Sequence, residues 1–125
     1  MTFTLCSMLP AFCPGGKDKR MKSRETKVSR WSEEKKPDEA TIRGILAEEG
    51  LHPYRWSNSP GDVYSSHTHS YNKVIYVLSG AITFNLPDSG EKVALKPGDR
   101  LDLPAGVSHG AVVGPTGVAC LEAHR

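Results

Sequence analysis

No apolar run in this chain approaches the roughly 18 residues that a membrane-spanning helix needs, which excludes a helical membrane span. Cysteine is scarce. Cys6, Cys13 and Cys120 are odd in number and never spaced C-x-x-C, so a reducing, cytoplasmic compartment is expected rather than a disulfide scaffold. Cys120, inside the apolar run GVACLEA, reads as a small core residue. The opening MTFTLCSMLPAFCPGG lacks the basic start that precedes a signal peptide's apolar core, so secretion is not expected. Met21 offers a second plausible initiator.

Charge is uneven. Residues 1–36 hold nine Lys and Arg against four acids, whereas residues 37–125 hold seven against ten. A basic leader can touch nucleic acid or anionic lipid, but this one lacks interleaved aromatics and a continuous basic helix. The expectation is therefore a disordered or mobile leader over residues 1–30, with neither nucleic acid nor membrane as partner. Trp31 would gain by burial, so a stretch near Val28 to Trp31 is expected to dock as a strand. The remaining residues, 31–125, have the length of one domain.

That domain begins with one short helix, at about residues 38–49. Pro37 suits a first turn, Asp38 and Glu39 suit the positive end of the helix dipole, and Gly50 permits a left-handed stop. Ile42, Ile45 and Leu46 form its apolar stripe. Beyond it, turn signals recur every few residues and separate YRWSN, KVIYVL, AITFNL, VALK, RLDL, VSHGAVV and VACLEA. KVIYVL has almost no polar positions and reads as a strand buried on both faces. Seven or eight short strands with no helical pattern between them imply an all-β sandwich or barrel.

Within GDVYSSHTHSYNKVIYVLSG, residues 61–80, two histidines stand two apart. Strand side chains repeat with period two, so His67 and His69 would share a face and can share a metal ion. A lone pair of this kind also occurs on solvated strands, and a third ligand is needed. His109, after the turn-bounded strand RLDL, is best placed. His52 is either a fourth ligand or an exposed residue, the second being favoured. Three imidazoles suit zinc or another transition metal with an open coordination position.

The order Gly61, five residues, His67-Thr68-His69, three residues, Lys73, six residues, Gly80 resembles the first motif of the cupin superfamily. Gly98, five residues, Pro104-Ala105-Gly106, two residues, His109 resembles the second. The two together span residues 61–113. The resemblance implies a jelly-roll-like conical β-barrel of two facing antiparallel sheets, a homodimer, and one divalent metal per chain (Zn, Ni, Mn or Fe) held by His67, His69 and His109. Two positions depart from the pattern. Lys73 stands where the family has a metal-binding glutamate, and Val113 where the second motif commonly ends in asparagine.

An ammonium cannot ligate a metal. Lys73 has three destinations: the surface, an ion pair with Asp62, Asp102 or Glu122, or the cavity, as a base or an anchor for an anionic substrate. The functional expectation is a metal-dependent isomerase, lyase or dioxygenase acting on a small organic molecule. His67, His69 and His109 would be the ligands, and Lys73 and Tyr71 the catalytic candidates, ahead of Tyr76. The alternatives are a small-ligand binding or sensor module without turnover and a collapsed, metal-free barrel.

Overall fold

The structure, a computed structural model, describes residues 25–125. The expectations for residues 1–24, including Cys6, Cys13 and a start at Met21, lie outside the described residues. The elements are β1 (Lys27–Ser29), α1 (Glu39–Glu48), β2 (Tyr54–Asn58), β3 (Val63–His67), β4 (Lys73–Leu86), β5 (Glu91–Leu95), β6 (Arg100–Leu103) and β7 (His109–His124).

Two long strands organise the fold. β4 and β7 lie antiparallel along nearly their whole length, from Lys73 opposite His124 to Asn85 opposite Gly110. The first half of β4 and the second half of β7 carry one wing, with β6 and β1 on one side and β2 on the other. Their remaining halves carry the second wing, flanked by β5 and β3. Sequence alone places turns at Gly80 and at Gly114 to Gly117, splitting each long strand in two. In the structure both strands instead run on through a bend, with register shifts between Val77 and Ser79 and between Gly80 and Ile82. The backbones touch there: at Gly80 (φ 75°) a Cβ would run into the carbonyl oxygen of Gly117. A glycine inside a strand often marks such a close approach rather than a stop.

The closed conical barrel of two sheets is not what forms. Among the described residues all seven strands belong to one antiparallel sheet; its main path ends at β1 and β2, while β3 pairs only with β7 and β5 only with β4. The wings share a core through the bent strands, without edge pairing that would close a ring. That core takes Ile75, Val77, Leu101 and Leu103 from one wing and Ile82, Phe84, Val93 and Leu95 from the other, with Cys120 among them.

The alternation along β4 assigns its faces. Ile75 and Val77 enter the inter-wing core, whereas Val74 and Tyr76 turn outward beneath α1. There Ile42 and Leu46, both fully buried, meet Leu51, Leu121 and Ala123. Each such aliphatic side chain contributes roughly 1.5–3 kcal/mol by leaving water. Asp38 caps the helix by accepting the Thr41 N–H at 2.8 Å. Arg100 fastens helix to sheet: its guanidinium donates to Glu49 at 2.6 and 2.9 Å and to Asp102 at 2.9 and 3.0 Å. Glu49 is thereby held down at about 2, the Arg100 hydrogen bond being the largest cause.

Trp31 is an anchor. Its side chain covers Gly98, where a Cβ would come within 2.6 Å of it. The buried Asp99 carboxylate accepts from Arg30 at 2.7 Å, from the Lys96 N–H at 3.1 Å and from the Trp31 N–H at 3.2 Å. Burial alone would raise the Asp99 carboxyl; these donors outweigh it and hold the group below the usual range. The strand β1 overlaps the stretch singled out for docking at Val28 and Ser29, and Arg30 and Trp31 just beyond it tie the segment to the turn before β6.

Candidate metal centre

Pairing between β3 and β7 sets His67, the last residue of one, opposite His109, the first of the other. His69 follows two residues later. Strand parity is not what aims it, because β3 ends at His67 and its register shifts between Tyr64 and His67. The chain beyond the strand nevertheless brings the three rings together, with centroids 4.5 Å (His67 to His109), 4.7 Å (His67 to His69) and 5.1 Å (His69 to His109) apart. One nitrogen from each lies within 4.8 Å of the others.

The hydrogen bonds choose the free nitrogens. His67 Nδ1 lies 2.8 Å from the Ser65 carbonyl and His109 Nδ1 2.9 Å from that of Val107. A carbonyl only accepts, so each Nδ1 carries the proton and each Nε2 presents a lone pair. His109 is buried, and its Nε2 has no hydrogen-bond partner. An unpaired buried nitrogen costs about 1–3 kcal/mol unless something binds it. Burial lowers the His109 and His69 imidazoles below their ordinary value, and the Lys73 ammonium adds to this. Converging imidazoles, two of them with Nδ1 oriented by a backbone carbonyl, are the donor set a divalent transition metal takes. The residues fit one such ion.

Lys73 points inward, with 12% of its side chain exposed. Its Nζ lies 3.2 Å from His69 Nε2 and 3.4 Å from Glu122 Oε2. Of the three acids weighed as partners, Glu122 is the one it meets; Asp62 accepts the Ser59 N–H and Asp102 binds Arg100. Glu122 is almost fully buried and occupied. Oε2 accepts from Tyr54 Oη at 2.7 Å and lies 2.9 Å from His124 Nε2, while Oε1 accepts from Trp56 Nε1 at 3.0 Å. Burial would raise this carboxyl, but the hydrogen bonds and Lys73 keep it below the usual range. Burial raises the Tyr54 hydroxyl, helped by its bond to Glu122.

The three histidines, Lys73, Glu122, Tyr54 and Trp56 line a pocket of about 330 Å³ that also includes Tyr64, Tyr71, Ile75, Ile82, Phe84 and Ala111. Tyr71 stands 5.1 Å from His69 and stacks on His124 at 4.1 Å, centroid to centroid. Tyr76 is not there; it lies on the opposite face, beside Arg100 and the helix. His52 is exposed and outside the cluster. Sequence reasoning did not single out His124 or the hub around Glu122. The available signal was the alternation in VACLEAH, which sends Cys120, Glu122 and His124 to one face of β7.

Three imidazoles converging inside an antiparallel β-fold define a metal-binding β protein. The model of the Cupin domain family matches residues 54–121, more than half of the chain, and the chain belongs to that family. Solved structures agree. The polyketide cyclase RemF from Streptomyces resistomycificus is 30% identical (TM-score 0.52), over 59% of this chain and 54% of its own. A chain from the crystal structures of the DMSP lyases RdDddP and RnDddQII is 25% identical (TM-score 0.55) over 60% of this chain and 38% of its own. A DUF861 family protein from Thermotoga maritima, 18% identical (TM-score 0.52), is matched over 97% of its length and 78% of this chain, a likeness of fold alone. The chain thus spans about half, or less, of the cyclase and the lyases. No curated protein matches it. Among the described residues no helix is long and apolar enough to cross a membrane.

Proposed function

We propose that this chain is a metal-dependent enzyme that rearranges the bonds of a small organic molecule without net oxidation, as a lyase or isomerase. The observation that carries this reading is the buried, unpartnered Nε2 of His109, facing a pocket with His67, His69, Lys73 and Tyr71 around it. A bound divalent ion would act there as a Lewis acid on a carbonyl or enediol oxygen. Three neutral imidazoles leave the ion's charge uncompensated. That favours polarising an oxygen over reaching a higher oxidation state, for which an anionic ligand would be wanted. Lys73 and Tyr71 supply groups that can move a proton on the substrate, and the apolar side of the pocket, Ile75, Ile82 and Phe84, keeps water from it. The similarity to a cyclase and to lyases supports the same class.

The test is reconstitution with zinc, nickel, manganese and iron, elemental analysis, and NMR of a panel of small hydroxy and keto acids in D2O. Deuterium entry at carbon or elimination product, lost in Tyr71→Phe and Lys73→Met at unchanged metal content, is expected. Protein that takes up no metal, or an iron form that consumes oxygen, would overturn the reading. Ligand retention with no exchange would instead indicate a binding module.

A further inference from the structure

Lys73 stands where the family pattern has a carboxylate that would offset part of the metal's charge, and it does so inside the pocket rather than at the surface. The lining residues contain one other full charge of fixed sign, Glu122, and Lys73 is the only Lys or Arg among them. Glu122 has little left to offer a ligand, since both its oxygens are engaged by Tyr54, Trp56, His124 and Lys73. Lys73 is the opposite case. Its ammonium has three N–H donors and two neighbours, His69 Nε2 and Glu122 Oε2. A metal on His69 Nε2 would take the lone pair to which Lys73 now donates, leaving two donors directed at the pocket by a carboxylate that cannot move away.

Charge points the same way. A divalent ion and Lys73 against Glu122 leave the pocket two positive charges in excess, and in a partly enclosed site that excess is weakly screened. At about 330 Å³ the pocket is near the small end of ligand sites, which run from about 300 to 1,000 Å³. Its far wall is apolar.

We infer that the substrate is a small carboxylate whose anionic group is held by Lys73, itself oriented by Glu122, while its carbon skeleton lies against Ile82 and Phe84. This rests on the metal-dependent reading above but concerns binding, and can be tested without turnover. Calorimetric titration of the zinc-loaded full chain with lactate, propionate and benzoate, and with the corresponding amides, compares equal shapes that differ by one charge. The acids are expected to bind at least tenfold more tightly than the amides. Lys73→Met should abolish that preference at one zinc per chain, and Lys73→Arg should retain part of it. Should the single variant fail to fold with Glu122 left unpaired, Lys73→Met/Glu122→Gln removes both charges and is expected to lose the preference too. Acids and amides binding alike, or a preference that survives in the Met variants and so belongs to zinc alone, would overturn the inference. Acids that bind through Lys73 but undergo no exchange would sink the enzymatic reading and leave the carboxylate anchor standing.

Discussion

The sheet carries charge on both faces, and the two faces treat it differently. Under α1, Arg100 is matched to Glu49 and Asp102, and Glu49 also binds Arg125 at 2.8 Å. Every guanidinium nitrogen of Arg100 has an acceptor there, counting Tyr76 Oη at 3.4 Å from Nη1. On the pocket face, Glu122 is saturated, but Lys73 donates to an imidazole that a metal would use and His109 Nε2 meets nothing. Acid and base are balanced where the job is to hold the helix. Where a ligand is to bind, the balance is left incomplete.

Substitutions can separate the faces. Leu46→Ala should have the largest effect on folding, lowering stability by about 2–5 kcal/mol in urea denaturation while leaving metal content unchanged, because the cavity opens beneath α1. His109→Ala should do the reverse. Its zinc affinity, measured by competition with a chelator, should fall by more than the roughly 100-fold that loss of an outer hydrogen bond can cost, with secondary structure intact by circular dichroism. Equal damage to folding and metal binding from either variant would erase the distinction.

Smaller effects sharpen it. Lys73→Met removes the donor that competes for His69 Nε2, and chelator competition should show zinc affinity raised several-fold, about 1 kcal/mol. The smallest concerns acid. The Arg100 hydrogen bond holds the Glu49 carboxyl down at about 2, against an ordinary value of 4.5. Its contribution is therefore fully present above pH 4.5 and is lost as pH falls toward 2. Between pH 5 and 3 the unfolding free energy of the wild type, read from urea denaturation, should drop by about 1 kcal/mol or less for this partly exposed pair, and the drop should be smaller in Arg100→Met.

The metal cluster was legible because its three histidines stand at motif spacings, and the helix because its cap and stripe are local. The direction of Lys73 was not. Its parity matched His67 and His69, but β3 stops at His67, and the residue is aimed instead by the ladder pairing it with Leu103 and His124. The two bends were misread for a related reason: glycine and proline report that a backbone departs from regularity, not whether hydrogen bonding resumes beyond it. Closure of the sheet depends on edge partners that no local pattern encodes, and the open edges at β3 and β5 show that they are absent among the described residues.

The central position of β7 has a consequence for how the protein is made. It is synthesised after β1 to β6, yet it is the partner of β2, β3 and the whole of β4. A nascent chain that has emerged only as far as β6 can form the β4–β5 hairpin and the β4–β6 pairing, but neither wing is complete and His67 still faces the place where His109 will arrive. Such long-range pairing makes folding slow and leaves strand edges bare in the meantime. The metal site can therefore assemble only at the end of this sequence of events, as the same strand that completes both wings brings in its third imidazole.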